Sequence, residues 1–208
     1  MVNVHWGKVD YFLWGGMSED NYNYAMYTFQ MGTKPFHGVE MLISNMIKNF
    51  KEVTSHSCGS FSTTKDRIGR NAISDTAIVM SYSLLEVFFD EEYYFYISKN
   101  NKPGELSALI STVIYDRGVK VKDWKSRRKV IDLFKDVRNA VVHSNGRIDA
   151  CVYREKFLKL LGVDLFEHTN GYLTLTFDAS LWLINEFRSI AHEYAEAVFM
   201  GDREIKSD

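Results

Sequence analysis

Apolar residues recur along most of the chain at intervals of three and four positions, which is the period of an amphipathic α-helix. The first clear stripe predicts a helix over about 38–53, and a shorter helix is predicted before it, over about 19–31 with Ser18 as N-cap. The sequence GTKP at 32–35 is predicted to separate the two. The longest apolar segment, about 67–97, predicts the most buried helix of the chain.

The same period predicts four more helices in the second half of the chain. They cover about 105–117, about 124–144, the sequence YREKFLKLLG at 153–162, and about 178–200 with Asp178 as N-cap. The last of them carries a long apolar stripe, so we expect it to pack in the core.

Between the last two helices, the sequence VDLFEHTNGYLTLTF at 163–177 predicts a β-hairpin, because Asn-Gly lies between two alternating runs. Together the elements predict an all-α fold, a helical bundle with one small hairpin before the last helix. We assign residues 1–35 to an aromatic-rich N-terminal extension, 36–200 to the helical domain and 201–208 to a frayed tail.

The composition limits the classes of function. The formal net charge is −2, so the whole molecule is not a basic nucleic-acid binder, and any such site must be a local patch. Cys58 and Cys151 belong to no CxxC pair and the histidines lack metal-ligand spacing, so neither a metal nor a cofactor is expected. With no secretion signal and no apolar run of about 18 residues, no membrane segment is expected and a cytoplasmic location is predicted.

The sequence FKDVRNAVVHSNGRI, residues 134–148, ends a predicted helix with more polar chemistry than a helix end needs. Gly146 is the expected stop, and Arg138, Asn139 and His143 come just before it. Asn139 and His143 are four positions apart and share a helix face, with Arg138 beside that face.

These side chains suit the chemistry of a phosphodiester. A guanidinium grips phosphate oxygens with two hydrogen bonds and stabilises charge that develops on them. The negative end of the helix dipole favours a proton on the imidazole of His143, and such a histidine can act as general acid or base. RNA carries its own nucleophile in the 2′-hydroxyl, so one His and one Arg, doubled by dimer symmetry, can cleave it without a metal.

Two further segments bear on nucleic-acid contact. The sequence RGVKVKDWKSRRK at 117–129 holds seven basic residues and one acidic residue, and it leads into the predicted helix that carries Arg138 and His143. A solvated helix face is the alternative interpretation of that run. The aromatic sequence EEYYFY at 91–96 can stack bases, but a buried helix end explains it more simply. The residues expected to contact nucleic acid are Lys125, Arg127, Arg128, Asn145 and Arg147.

The sequence RNAVVHSNG resembles the Arg-x(4–6)-His motif of the HEPN family (higher eukaryotes and prokaryotes nucleotide-binding), in which a polar residue, often Asn, follows the Arg. The continuation NGRI is similar to many bacterial members. The order of elements is similar as well: a long apolar helix with an internal Glu, here Glu86 in SYSLLEVFF, then the motif helix, then a final amphipathic helix. The resemblance covers about 67–200.

This resemblance implies a HEPN-like bundle that dimerises with its two motif helices facing each other. It also implies a metal-independent endoribonuclease of a toxin–antitoxin or other defence system, with RNA or a nucleotide and an antitoxin protein as partners. Arg138 and His143 would be catalytic, and Asn139 would orient or bind the phosphate. Some members carry a tyrosine, modified by a partner nucleotidyltransferase, where this chain has Asn145, so that regulation is not expected here.

Two alternatives to catalysis stay open. Other members of the family lack activity, so the chain can be a non-catalytic module that binds a nucleotide or RNA, or a purely structural interaction protein. In the structural alternative the three polar residues cap helix carbonyls and pin an interface. Glu86 is expected to have a supporting role, since a carboxylate in an apolar helix needs a counter-charge such as Arg138 or Arg147.

Overall fold

The computed structural model describes residues 19–56, 63–97, 102–144, 150–167 and 172–204. The described part of the chain is mostly helical, as the apolar period predicts, and the fold is all-α. Its helices are α1 (Glu19–His56), α2 (Thr63–Tyr96), α3 (Leu106–Asp116), α4 (Trp124–Ser144), α5 (Ala150–Leu161) and α6 (Phe177–Glu204).

The first helix departs from the sequence prediction, because α1 runs through the GTKP sequence without a break and holds Pro35 inside it. Packing explains the difference. A Cβ at Gly32 would lie 3.3 Å from the carbonyl oxygen of Ala191, so glycine lets α1 approach α6 closely, and Phe36 is fully buried one turn later. Tertiary contacts therefore outweigh the low helix propensity of this segment. The division between 1–35 and 36–200 stays a prediction.

The core is built where α1, α2 and α6 pack on one another, with α4 against α2 and the short helices α3 and α5 on the flanks. The ring of Phe134 on α4 is fully buried. Its centroid lies 4.7 Å from the ring centroid of Phe157 on α5 and 6.1 Å from that of Phe187 on α6. A second aromatic pair joins α2 to α6, with the ring centroids of Phe89 and Tyr194 5.2 Å apart. Each buried ring of this kind contributes about 1.5–3 kcal/mol by leaving water.

The helix α2 is the long buried helix that the sequence predicts. Within Lys65–Tyr96 an 18-residue window has a mean hydropathy of 1.4, which by length and composition alone is enough to cross a membrane. Half of that window is buried against the rest of the bundle, and the central helix of a packed core meets the same criterion. The apolar length of α2 is thus accounted for by its place between α1, α4 and α6.

The predicted hairpin before the last helix is not confirmed. A single antiparallel bridge joins Phe166 to Leu175, and the N–H of Thr176 donates to the carbonyl of Leu165 at 2.9 Å. None of the described residues forms a strand, and the predicted Asn170-Gly171 turn lies outside them. The segment is held on α2 instead, since the N–H of Leu175 donates to the hydroxyl of Ser74 at 2.9 Å.

The start of α6 also differs from the prediction. Thr176, not Asp178, is the N-cap, because its hydroxyl oxygen accepts the N–H of Ala179 at 3.1 Å. Asp178 lies inside the first turn, where its negative charge is favoured by the helix dipole.

Replacing Phe134 by alanine should cost about 3–5 kcal/mol, because the change leaves a cavity at the junction of α4, α5 and α6. Urea unfolding followed by circular dichroism measures the loss. Leu158→Ala on the exposed side of α5 is the control and should change stability by about 0.5 kcal/mol or less. Equal losses in both variants would contradict the assigned core.

Candidate functional site at the end of the fourth helix

The predicted site residues lie on the last two turns of α4, and the core face of that helix fixes their directions. Val130, Phe134 and Val137 are buried in the bundle. At about 100° per residue, Arg138 falls at the edge of this buried face and Asn139 further out. His143 follows Arg138 by five positions, so the two differ by about 140° around the helix axis.

Arg138 turns inward onto α2. The centre of its guanidinium lies 5.7 Å from the ring centroid of Tyr82, and Nη1 donates to the side-chain oxygen of Asn139 at 3.1 Å. Its Nε is buried and has no hydrogen-bond partner within the described chain. Such an unsatisfied buried donor costs about 1–3 kcal/mol. The structure thus brings Arg138 and Asn139 together and leaves the guanidinium with capacity for an acceptor.

Charged groups of both signs lie close enough to Tyr82 to change the pKa of its phenol. Burial raises the pKa of its phenol, the negative charge of Glu86 raises it further, and the positive charge of Arg138 lowers it. Glu86 and Arg138 therefore both lie within electrostatic reach of one hydroxyl. They form no ion pair with each other among the described residues, so the expected partnership is not a direct one, and Arg147 lies outside those residues.

His143 is exposed in the last turn of α4. It makes no hydrogen bond or ion pair in the part of the chain that the structure describes. Within the described part of one protomer, a hydrogen bond joins Arg138 to Asn139 and none joins either of them to His143. This imidazole faces solvent and has no partner among the described residues, so it is placed where a ligand or a second copy of the chain could reach it.

The basic residues predicted to contact nucleic acid separate into two kinds. Arg127 is 15% exposed, and its guanidinium binds two carboxylates of α6, with Nε 3.1 Å from Glu186 and Nη1 2.9 Å from Glu193. Its positive charge is therefore balanced by carboxylates within the fold. Lys125 and Arg128 are exposed on α4 and remain available to phosphate. Asn145 and Arg147 lie outside the described residues.

Asp75 is a further polar residue of interest that the sequence prediction of the site does not include. Asp75 is half-buried on α2, and burial raises the pKa of its carboxyl to about 6. It has no hydrogen bond or ion pair among the described residues. The signal was present in the spacing, because Asp75, Val79, Tyr82 and Glu86 recur at intervals of four, three and four and so share one face of α2.

Among residues 19–56, 63–97, 102–144, 150–167 and 172–204, no group of three or more His, Cys, Asp or Glu could hold a metal ion. A cavity of about 420 Å³ opens elsewhere, between the end of α5 and the start of α6. Its lining residues are Leu161, Val163, Asp164, Leu165, Thr176, Asp178, Ala179 and Trp182.

The carboxyl of Asp75 should make stability depend on pH. The folded chain holds this proton more strongly than the unfolded chain. The part of the unfolding free energy that depends on the protonated carboxyl is therefore fully present below about pH 4 and is lost as pH rises through about 6. Asp75→Asn should therefore be more stable than the wild type at about pH 8, by on the order of 1 kcal/mol after allowance for partial exposure, and equal to it at about pH 4.

Urea unfolding at the two pH values tests this expectation. Asp132→Asn, which removes an exposed carboxylate on α4, is the matched control. A gain from Asp75→Asn that is the same at both pH values would contradict the assignment.

The neighbours Arg127 and Arg128 should respond differently to the same change. Arg127→Gln breaks two contacts with α6 and should lower the unfolding free energy by about 2–4 kcal/mol, since it leaves Glu186 partly buried and unpaired. Arg128→Gln removes an exposed charge and should change stability by about 0.5 kcal/mol or less. Thermal unfolding of the two variants measures the contrast, and similar values would argue against the ion pairs.

Comparison of the chain with models of protein families, with curated proteins and with solved structures finds no match. The assignment of function therefore depends on the residues themselves. Three observations at the end of α4 bear on it: a half-buried guanidinium with a donor that has no partner in the described part of the chain, an amide that holds it, and an exposed histidine.

Proposed function

We propose that the chain is a metal-independent endoribonuclease of HEPN type that works as a homodimer, with Arg138, Asn139 and His143 at a composite site. The observation that carries this proposal is the guanidinium of Arg138, which Asn139 and Tyr82 hold in place and whose buried Nε has no partner among the described residues. An anion at this position would satisfy a cation that the fold leaves partly desolvated.

The chemistry follows from the ligand and these residues. The 2′-hydroxyl of RNA attacks the adjacent phosphorus, and the imidazole of His143 takes up the proton of that hydroxyl. Arg138 stabilises the negative charge that builds on the phosphate oxygens, and Asn139 keeps the guanidinium oriented. The bond to the 5′-oxygen breaks, and the proton that His143 took up passes through water to that oxygen, leaving a 2′,3′-cyclic phosphate, a 5′-hydroxyl and a neutral imidazole.

The angle between the two catalytic residues supports a dimer. Because Arg138 and His143 point about 140° apart on one helix, the His of one protomer can meet the Arg of the other across a two-fold axis. Val142 and Val152 are exposed apolar residues at the ends of α4 and α5, and they would be covered in such an assembly. A role as a toxin or defence effector, held in check by an antitoxin protein, fits this activity.

A non-catalytic module that binds RNA or a nucleotide is the second candidate. The observation in its favour is that, among the described residues of one protomer, no hydrogen bond joins His143 to Arg138 or Asn139. A guanidinium with spare donors is then sufficient to hold a phosphate, and no proton transfer is needed.

Cleavage of mixed RNA in EDTA should distinguish the two functions. The wild type should cleave and leave 2′,3′-cyclic phosphate ends, and His143→Ala should lower the rate by about 10²–10⁴-fold. His37→Ala, an exposed histidine on α1, is the matched control and should keep full activity.

The outcomes separate clearly. Binding without cleavage by the wild type, weakening with salt, would support the binding module. Equal cleavage by all three proteins would count against a catalytic His143.

A further inference from the structure

The C-terminal ends of α2 and α3 lie together and carry exposed aromatic side chains. The guanidinium of Arg117, just after α3, lies 4.2 Å from the ring centroid of Tyr96, the last residue of α2. Tyr94 and Phe95 are 57% and 63% exposed, and Tyr115 near the end of α3 is 84% exposed. We call Tyr94, Phe95, Tyr96 and Tyr115 the aromatic end.

The exposure of the aromatic end is not what its sequence suggests. Burial was the simpler interpretation of EEYYFY, but Tyr93 alone among its four aromatic residues is buried. Grouped exposed rings of this kind mark an interaction surface more often than scattered apolar residues do.

The core beneath the aromatic end is tied to α6 by a buried hydrogen bond. Glu92 is buried next to these rings and accepts a hydrogen bond from the hydroxyl of Tyr194 at 2.8 Å, which ties the end of α2 to α6. The rings of Tyr94 and Phe95 pack edge to face at 5.6 Å. The aromatic end is thus presented on fixed backbone, which lowers the entropy lost when a ligand binds.

Basic side chains continue from this surface along the connection to α4. Lys120, Lys122 and Lys125 are exposed, while the backbone of the connection is anchored because the N–H of Lys122 donates to Glu193 at 3.0 Å. From residue 115 to residue 125 the sequence holds four basic residues and two acidic ones, Asp116 and Asp123. Flat apolar rings beside ammonium groups fit bases joined to phosphates.

We propose that the aromatic end, with Lys120 and Lys122, binds an unpaired segment of nucleic acid at a site separate from Arg138 and His143. Bases stack on exposed rings, and ammonium groups neutralise the phosphates between them. A duplex cannot bind in this way, because its base faces are already stacked on one another. The proposal rests on the proposed function only in taking RNA as the natural ligand.

The site would set a length requirement for the substrate. The aromatic end lies near the start of α4, and His143 lies near its end. At 1.5 Å per residue, the 20 positions from Trp124 to His143 separate them by about 29 Å. One strand must span this distance to occupy both places, so the two sites together favour long unpaired segments over short ones.

Binding of an RNA with 2′-O-methyl riboses tests the proposal independently of cleavage, since the nucleophile is blocked. Fluorescence anisotropy with a labelled single strand of about 12 nucleotides reports the Kd of the full chain. Tyr115→Leu and Phe95→Leu should each raise the Kd by about 5- to 100-fold, because each removes a stacking surface. Tyr115→Phe keeps the ring and should bind like the wild type.

The lysines have their own readout and control. Lys120→Gln and Lys122→Gln should each lower the slope of log K against log salt by about 0.7, the value for one phosphate contact on a single strand. Lys48→Gln on α1, an exposed lysine away from the aromatic end, should leave the slope unchanged. Unchanged thermal unfolding verifies that every variant is folded.

Three results would overturn the proposal: no effect of the leucine variants, equal binding of the matching duplex, or binding of phosphatidylserine vesicles in place of the oligonucleotide. The proposed ribonuclease can fail separately. If unmodified RNA is bound through Tyr115 but not cleaved, the aromatic end stands and the catalytic role of His143 falls. If RNA is cleaved and Tyr115→Leu binds normally, the catalytic role of His143 stands and the aromatic end is not a binding site.

Discussion

The contact of the Phe134 ring with Phe157 and Phe187 determines how α4 is rotated in the bundle. A helix has one free rotation about its own axis, and a large ring buried between two other helices removes it. Every polar residue of α4 then has an assigned direction: Arg138 faces α2, and His143 faces solvent. The geometry of the candidate site is therefore a result of core packing several residues away from it.

The face of α2 that carries Tyr82 has an unusual electrostatic character, because the charged groups on and beside it form no ion pairs among the described residues. Glu86 and Arg138 act on one phenol with opposite effects, and Asp75 lies two turns away on the same face of α2 with no counter-charge among the described residues. In a partly desolvated setting each of these charges is felt strongly by any anion or cation that enters. A core optimised for stability alone would hold fewer of them.

The sequence predicted the long helices well, since the apolar period of α2, α4 and α6 extends over many turns. It failed where a distant contact decides the outcome: Gly32 continues α1 because α6 lies against it, and Arg127 is paired with residues about 60 positions away. The separation of Arg138 from His143 could be predicted from helix geometry alone. The inward turn of Arg138 onto Tyr82 could not, since it depends on how α2 and α4 pack.

Gly32 and Gly38 of α1 differ in how well they would tolerate a larger side chain. Gly32 is a spacer: a methyl group there would press against the backbone of Ala191 and force two helices apart by some tenths of an ångström. Gly38, six residues later, has nothing within 4 Å of the position that a Cβ would take. Alanine at Gly38 would gain about 0.5–1 kcal/mol of helix propensity. The same helix thus holds one position closed to change and one that offers extra stability without touching the candidate site.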